Sequence, residues 1–204
     1  MFRIYFMLIM ILFSTTLMAK SIVVLGDSIS AAHGLELKKG WVSLLQQKFN
    51  QQKKPYIIFN ESISGDTSAG GLARIDSVIA QYKPELILLE LGANDGLRGL
   101  SPKQMKLNLA EIINRSHKAG IKVLLLSMRI PPNYGKRYVD MFYQVYPQLS
   151  KELNIPFVPF ILGEVALVKD MMQKDGLHPN AKAQPIIADK VWLYLEPVLE
   201  QKRP

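Results

Sequence analysis

The chain has 204 residues, 49% hydrophobic and 21% charged, which suits one domain with a single sizeable core and argues against disorder or low complexity. There is no cysteine, so disulfide staples, thiolate zinc sites, cysteine nucleophiles and lipid attachment at an N-terminal Cys are excluded, and covalent chemistry is left to Ser, Thr, Lys or a carboxylate. The net charge of +8 comes from basic residues scattered in ones and twos, densest at the Lys pairs 38–39 and 53–54, and reads as a solvated surface rather than a nucleic-acid footprint.

Residues 1–19, MFRIYFMLIMILFSTTLMA, form a separate compositional block. Arg3 supplies a positive start, Ile4 to Phe13 an apolar stretch, and STTLMA a polar, small-residue close ending at Ala19. This is the layout of a secretory signal peptide, and the apolar stretch is short for a span of about 20 residues. The mature protein then starts near Lys20, in an exported compartment, and residues 20–204 form one domain. The alternative is an uncleaved anchor, since Leu17 is bulky for the third position before a cleavage site.

Beyond residue 20, short apolar runs alternate with longer amphipathic stretches. SIVVLG (21–26) predicts a strand, and residues 40–52 a helix with Trp41, Leu44, Leu45 and Phe49 on one side. PYIIFN (55–60) predicts a second strand, followed by a helix over 67–82 capped by Thr67 or Asp66. PELILLELG (84–92) is apolar enough to be buried on both faces, as in a parallel sheet. A helix over 101–120 follows, with Ser101 as N-cap, Pro102 at its first position and Gly120 at its end. Then come a strand over 121–128, the loop RIPPNYG (129–135), a helix over roughly 136–153, a strand over 155–160 and a closing helix over 181–201. Five strands alternating with helices predict an α/β fold with a doubly wound parallel sheet, because each parallel crossover needs a helix.

In such sheets, working residues sit in the loops beyond the carboxyl ends of the strands. Strand one exits into GDSIS, strand two into NESISGDT and strand three into GANDG, and DGLHPN stands before the last helix. Four polar, glycine-bearing loops thus converge on one edge. Ser28 is in isolation an ordinary N-cap. With Gly26 permitting a tight turn and a helix starting just after it, Ser28 also becomes a nucleophile candidate at a helix N-terminus. The G-x-S-x-G spacing of α/β-hydrolases fails, because Ser30 stands where the second Gly belongs.

A serine nucleophile needs a base, and the chain offers three histidines. His117 falls in the last turn of a helix and reads as structural. His33 lies on the same rim as Ser28 but has no carboxylate close in sequence except Glu36. His178 follows Asp175 by three residues in a turn made rigid by Gly176 and Pro179, so Asp175 can hold one ring nitrogen while the other faces Ser28. The oxyanion-hole candidates are the N–H groups of Ser28 and Gly65 and the side-chain amide of Asn94. Asn94 can equally be a turn residue, since Asn-Asp-Gly is a favoured turn composition.

Gly-Asp-Ser at 26–28, Gly65, Gly-x-Asn-Asp at 92–95 and Asp-x-x-His at 175–178 occur in order, each after its expected strand. Together they resemble the four blocks of the SGNH (GDSL) hydrolase family, over residues 21 to about 200. SISGDTS, LELGANDGLRG, RIPPNYGKRY and DGLHPN most resemble its branch of bacterial periplasmic thioesterases, lysophospholipases and arylesterases. The resemblance implies a three-layer α/β/α sandwich of flavodoxin-like SGNH type and a Ser-Asp-His esterase: Ser28, Asp175 and His178 catalytic, and Ser28, Gly65 and Asn94 forming the oxyanion hole. It further implies a shallow site, no metal or organic cofactor, and a small-molecule acyl ester or thioester as the partner. Ala93 stands where close relatives often carry another Gly. By the same resemblance, GLRG (96–99) and RIPPNYG border an acyl groove, where Leu97, Ile130, Pro131 and Tyr134 can form an apolar wall or simply pack as loop residues. Arg98 and Arg129 meet a phosphate-like group or solvent. No nucleic-acid partner, no membrane span after signal cleavage and no obligate dimer interface are expected. Two other readings remain: a carbohydrate O-acetyl esterase on the same scaffold, and a non-catalytic flavodoxin-like binding module, which lacks the glycine-rich phosphate motifs.

Overall fold

The computed structural model describes residues 19–200. The expected signal peptide falls, except for Ala19, outside the described residues. Among the described residues no helix is long and apolar enough to cross a membrane.

Five parallel strands form one sheet: β1 (Lys20–Gly26), β2 (Tyr56–Asn60), β3 (Leu86–Glu90), β4 (Lys122–Leu126) and β5 (Phe157–Val158). Their spatial order is β2-β1-β3-β4-β5, the doubly wound arrangement expected from the alternation of elements. Among the described residues five α-helices lie between the strands, α1 (Trp41–Gln51), α2 (Ser68–Tyr82), α3 (Ala93–Leu97), α4 (Pro102–Lys118) and α5 (Lys136–Leu153), and α6 (Gln184–Glu200) follows β5. The first crossover runs outward to β2 and the second returns across β1 to β3, so right-handed connections put α1 and α2 on opposite faces. Accordingly α1 packs with α6 in one layer, and α4 with both α2 and α5 in the other.

Burial explains the strand composition. Ile22 to Leu25 of β1 and Leu86 to Leu89 of β3 are 0% exposed, because helices cover both faces of the sheet centre. The edge strand β2 is only half-buried, and β5 shrinks to two residues of the apolar run 155–160. Local chemistry sets the helix ends as expected: Thr67 Oγ1 accepts from Gly70 N–H, and Ser101 Oγ from Gln104 N–H with Pro102 beside it. Gly120, one residue beyond the cap at Ala119, takes φ +73° to leave α4.

Two local expectations need correction. No helix starts after Ser28; residues 28–34 form successive turns. The Asp27 carboxylate takes the N–H of Ile29 at 3.0 Å, and Ala32 (φ 57°) and Gly34 (φ 73°) are left-handed, which no helix accommodates. Gly26 is needed for close approach rather than for a special φ: a Cβ there would lie 2.8 Å from Ser30 Cβ and 2.9 Å from Glu90 Oε2. Conversely, β3 ends early at Glu90, and the segment read as a loop is the short helix α3. The switch is made by Gly92 at φ +114°, where a Cβ would lie 2.6 Å from Tyr146 Oη and 2.8 Å from Met105 Sδ. Gly92→Ala should lower stability by about 1–3 kcal/mol in urea unfolding, through backbone strain and this clash.

Candidate active site

The β1–β3 register pairs Gly26 with Glu90, so the loops carrying Ser28 and Asn94 leave the sheet side by side. Ser28 sits half-buried two residues past β1. Asn94 lies in the first turn of α3, which is pinned from below: Asp95 accepts from Ser68 N–H (2.8 Å) and Ser68 Oγ, and Asn108 donates to that same hydroxyl. Gly65, at φ +82°, closes the third side, its carbonyl held by Arg98 Nη2 at 2.8 Å.

The fourth side comes from the long loop between β5 and α6. Asp175 Oδ1 accepts the N–H groups of Leu177 (2.9 Å) and His178 (3.0 Å), while Oδ2 lies 2.7 Å from His178 Nδ1. Gly176 supplies the φ of +68° that this turn needs. The other ring nitrogen, Nε2, lies 2.8 Å from Ser28 Oγ. Hydrogen bonds, first of all from the His178 backbone, pull the Asp175 carboxyl down to about 2, although its side chain is 41% exposed. It therefore stays ionised at any moderately acidic pH and fixes the imidazole tautomer. The loop is fastened by amide side chains: Gln173 Nε2 donates to the carbonyls of His33 (2.7 Å) and Pro179 (3.1 Å), and Asn180 Nδ2 to that of Asp170 (2.6 Å). Gln184 accepts from Trp41 N–H at 3.0 Å and donates back to Pro179. The His33 ring stacks on His178, with centroids 4.4 Å apart and planes 34° from parallel.

Around the serine the hydrogen-bond donors divide into two kinds. No acceptor among the described residues takes the N–H of Ser28 or Gly65. Asn94 Nδ2, by contrast, has two acceptors, Asp27 Oδ2 at 3.1 Å and the Asp66 carbonyl at 2.9 Å. All three donor residues border one cavity of about 340 Å³, together with Ser28 Oγ and both stacked imidazoles. A larger open groove of about 600 Å³ between α2 and α4 contains none of these residues. Among the described residues no cluster of three or more acidic or His side chains is placed to hold a metal ion.

The cavity walls differ in part from expectation. Leu97 and Pro131 line it, joined by Met128, Leu162, Leu177 and Arg129, whose guanidinium lies 4.0 Å above the Tyr143 ring. Ile130 does not: it is 5% exposed, turned inward against Gly96. Tyr134 borders a separate surface groove and donates to the Leu97 carbonyl at 2.9 Å. Loop residues alternate direction, and the sequence carries no period from which to read it. Met128, Leu162 and Leu177 were missed for the same reason, although Leu177 stands beside His178 in DGLHP. His117 is exposed at the end of α4, away from this site.

The serine, imidazole and carboxylate stand in line, with unengaged backbone N–H groups beside them, on a doubly wound sheet, which is the geometry that acyl transfer requires. The chain belongs to the GDSL-like Lipase/Acylhydrolase family, whose model matches residues 24–185, and it is a hydrolase acting on ester bonds. It is 46% identical to the Esterase TesA of Pseudomonas aeruginosa over 94% of this chain and 96% of that one. It is 43% identical to the Thioesterase 1/protease 1/lysophospholipase L1 of Escherichia coli, over 89% and 86%. Among solved structures, the psychrotrophic esterase EstA from Pseudoalteromonas sp., in a form inhibited by monoethylphosphonate, superposes with a TM-score of 0.86 at 43% identity, covering 89% of this chain and all of that one.

The short His178–Asp175 contact should be visible in solution. The His178 Nδ1–H proton is expected far downfield in the 1H NMR spectrum, and Asp175→Asn should remove that resonance while leaving the methyl dispersion of the core intact.

Proposed function

We propose that the chain is an exported, monomeric hydrolase of carboxylic esters and thioesters that works through an acyl-enzyme on Ser28. The observation that carries this reading is the 2.8 Å contact of His178 Nε2 with Ser28 Oγ, backed by Asp175 on the other ring nitrogen. Ser28 Oγ attacks the acyl carbon as Nε2 takes its proton. Nε2 then protonates the departing alcohol or thiol, and a water activated by the same nitrogen releases the acid. The N–H groups of Ser28 and Gly65 and the Asn94 amide receive the oxyanion. The apolar walls from Leu97, Met128, Pro131 and Leu162 suit an acyl chain better than an acetylated sugar, which favours this reading over a carbohydrate O-acetyl esterase. The names of the relatives support the same range of substrates. Residues 1–19 act as the signal peptide and residues 20–204 as the single catalytic domain.

A fluorophosphonate probe should label Ser28 alone, and Ser28→Ala should abolish p-nitrophenyl ester turnover without changing the circular dichroism spectrum. Retained turnover in that variant overturns the assignment. Asn94→Ala should lower kcat on the order of 10²–10³-fold, the usual loss for one oxyanion donor. N-terminal sequencing of the exported product should begin near Lys20; an intact Met1 contradicts cleavage.

A further inference from the structure

An ionisable residue stands at the end of the most apolar strand of the sheet. Glu90 is 0% exposed, and so is its neighbour Asp27, one residue ahead of the serine. Two buried carboxyls side by side are costly unless they share a proton. The hydrogen bonds indicate where that proton resides. Glu90 Oε2 accepts from Ser30 Oγ (2.7 Å) and Asp27 N–H (3.2 Å), whereas buried Oε1 receives no donor. One oxygen served by donors and the other by none is the pattern of a neutral acid, whose O–H needs an acceptor. The Asp27 carboxyl, buried beside Glu90 and joined to it through the Asp27 N–H, is the acceptor this assigns. Asp27 in turn accepts from Ile29 N–H through Oδ1 and from Asn94 Nδ2 through Oδ2.

We propose that Glu90 is a positioning residue that remains a neutral acid, donates to the Asp27 carboxylate, and thereby sets how tightly Asp27 holds the Asn94 amide. The inference rests on the reading of Asn94 as an oxyanion donor. Both amide hydrogens of Asn94 are taken, so an oxyanion must win one from Asp27 or from the Asp66 carbonyl. A bare carboxylate would hold that hydrogen strongly and set a full negative charge beside the oxyanion. Donation from Glu90 draws charge away from Asp27, weakening both effects.

The surrounding charges are consistent with one shared proton. Toward the pair face His178 from the β5–α6 loop, Asp66 from the β2–α2 loop with Arg74 of α2 bound to it, and Tyr146 of α5. The Tyr146 hydroxyl donates to the Leu91 carbonyl at 3.0 Å. Burial first, then the Asp27 charge, pushes Glu90 well above its ordinary 4.5, while burial pushes Asp27 up to about 6. The hydrogen-bond pattern at its two oxygens, with Oε2 served by donors and Oε1 by none, assigns the shared proton to Glu90. With a raised value in the fold, Glu90 contributes stability fully below 4.5 that is lost as the pH climbs to the folded value.

The test compares the parent enzyme with Glu90→Gln and Glu90→Ala on a p-nitrophenyl ester across pH. The Gln side chain mimics a neutral acid, accepting through its oxygen and donating to Asp27 through its nitrogen. Glu90→Gln is expected to keep kcat within about threefold at neutral pH and to lose the parent's alkaline decline, whereas Glu90→Ala loses about tenfold or more in kcat with KM nearly unchanged. Infrared difference spectra of parent minus Glu90→Gln should contain a protonated-carboxyl C=O band at neutral pH, a readout independent of activity and of whether Glu90→Ala folds. Absence of that band, coincident alkaline limbs, or a kcat loss in Glu90→Gln as large as in Glu90→Ala overturns the inference. An inactive parent that still has the band overturns the hydrolase reading and, with it, the role assigned through Asn94, while the proton stays on Glu90.

Discussion

The active edge depends on the pairing of β1 with β3 in the buried centre of the sheet. Covered by helices on both faces, these strands admit almost nothing but Val, Ile and Leu, and their register cannot slip without breaking the packing of α1, α2 and α4 at once. The register sets Gly26 against Glu90 and so fixes the distance between the serine loop and the asparagine loop. Gly26 belongs to this constraint, since any side chain there would strike Ser30 and Glu90. Neither loop is rigid by its own sequence; each inherits its position from the strand it leaves.

The imidazole side of the site is built by different means. Between β5 and α6 the chain has no regular element beyond a single bridge between Met172 and Pro179. Polar side chains do what a strand does elsewhere, with Gln173, Asn180 and Gln184 supplying hydrogen bonds to backbone carbonyls that no ladder satisfies. Asp175 serves twice, shaping its own turn through Oδ1 and holding the His178 ring through Oδ2. The turn and the orientation of the imidazole thus follow from one carboxylate.

What could be read from the sequence follows the same division. Strands one to four and their parallel direction were legible because burial on both faces leaves a continuous apolar run, and the chain alternates such runs with helical periods. The caps at Thr67 and Ser101 and the exit at Gly120 were legible because backbone satisfaction at helix ends has a small chemical vocabulary. The turns after Ser28 and the short helix at Ala93–Leu97 were not, since each hinges on one positive φ or one Asx bond rather than on a period. Ile130 and Tyr134 stay open between cavity wall and loop packing in the sequence, because loop letters do not tell which way a side chain points. Glu90 was written plainly in LELG, but in an apolar run a lone carboxyl is easily read past; its meaning appears only with Asp27 packed against it.

Ser28 thus comes from the most firmly packed part of the molecule, and His178 from the mostly exposed turns at 170–180, where side-chain amides reinforce a few backbone bonds. A segment with few buried apolar contacts and backbone bonds borrowed from side chains opens at lower free energy than the core around it. On this construction warmth or mild denaturant disarms the molecule before it unfolds: the helices and sheet persist while His178 swings away from an intact Ser28. The distance between His178 and Ser28 is then a gauge of a local equilibrium, one that the Gln173 and Gln184 amides bias from outside the pair by fastening the loop.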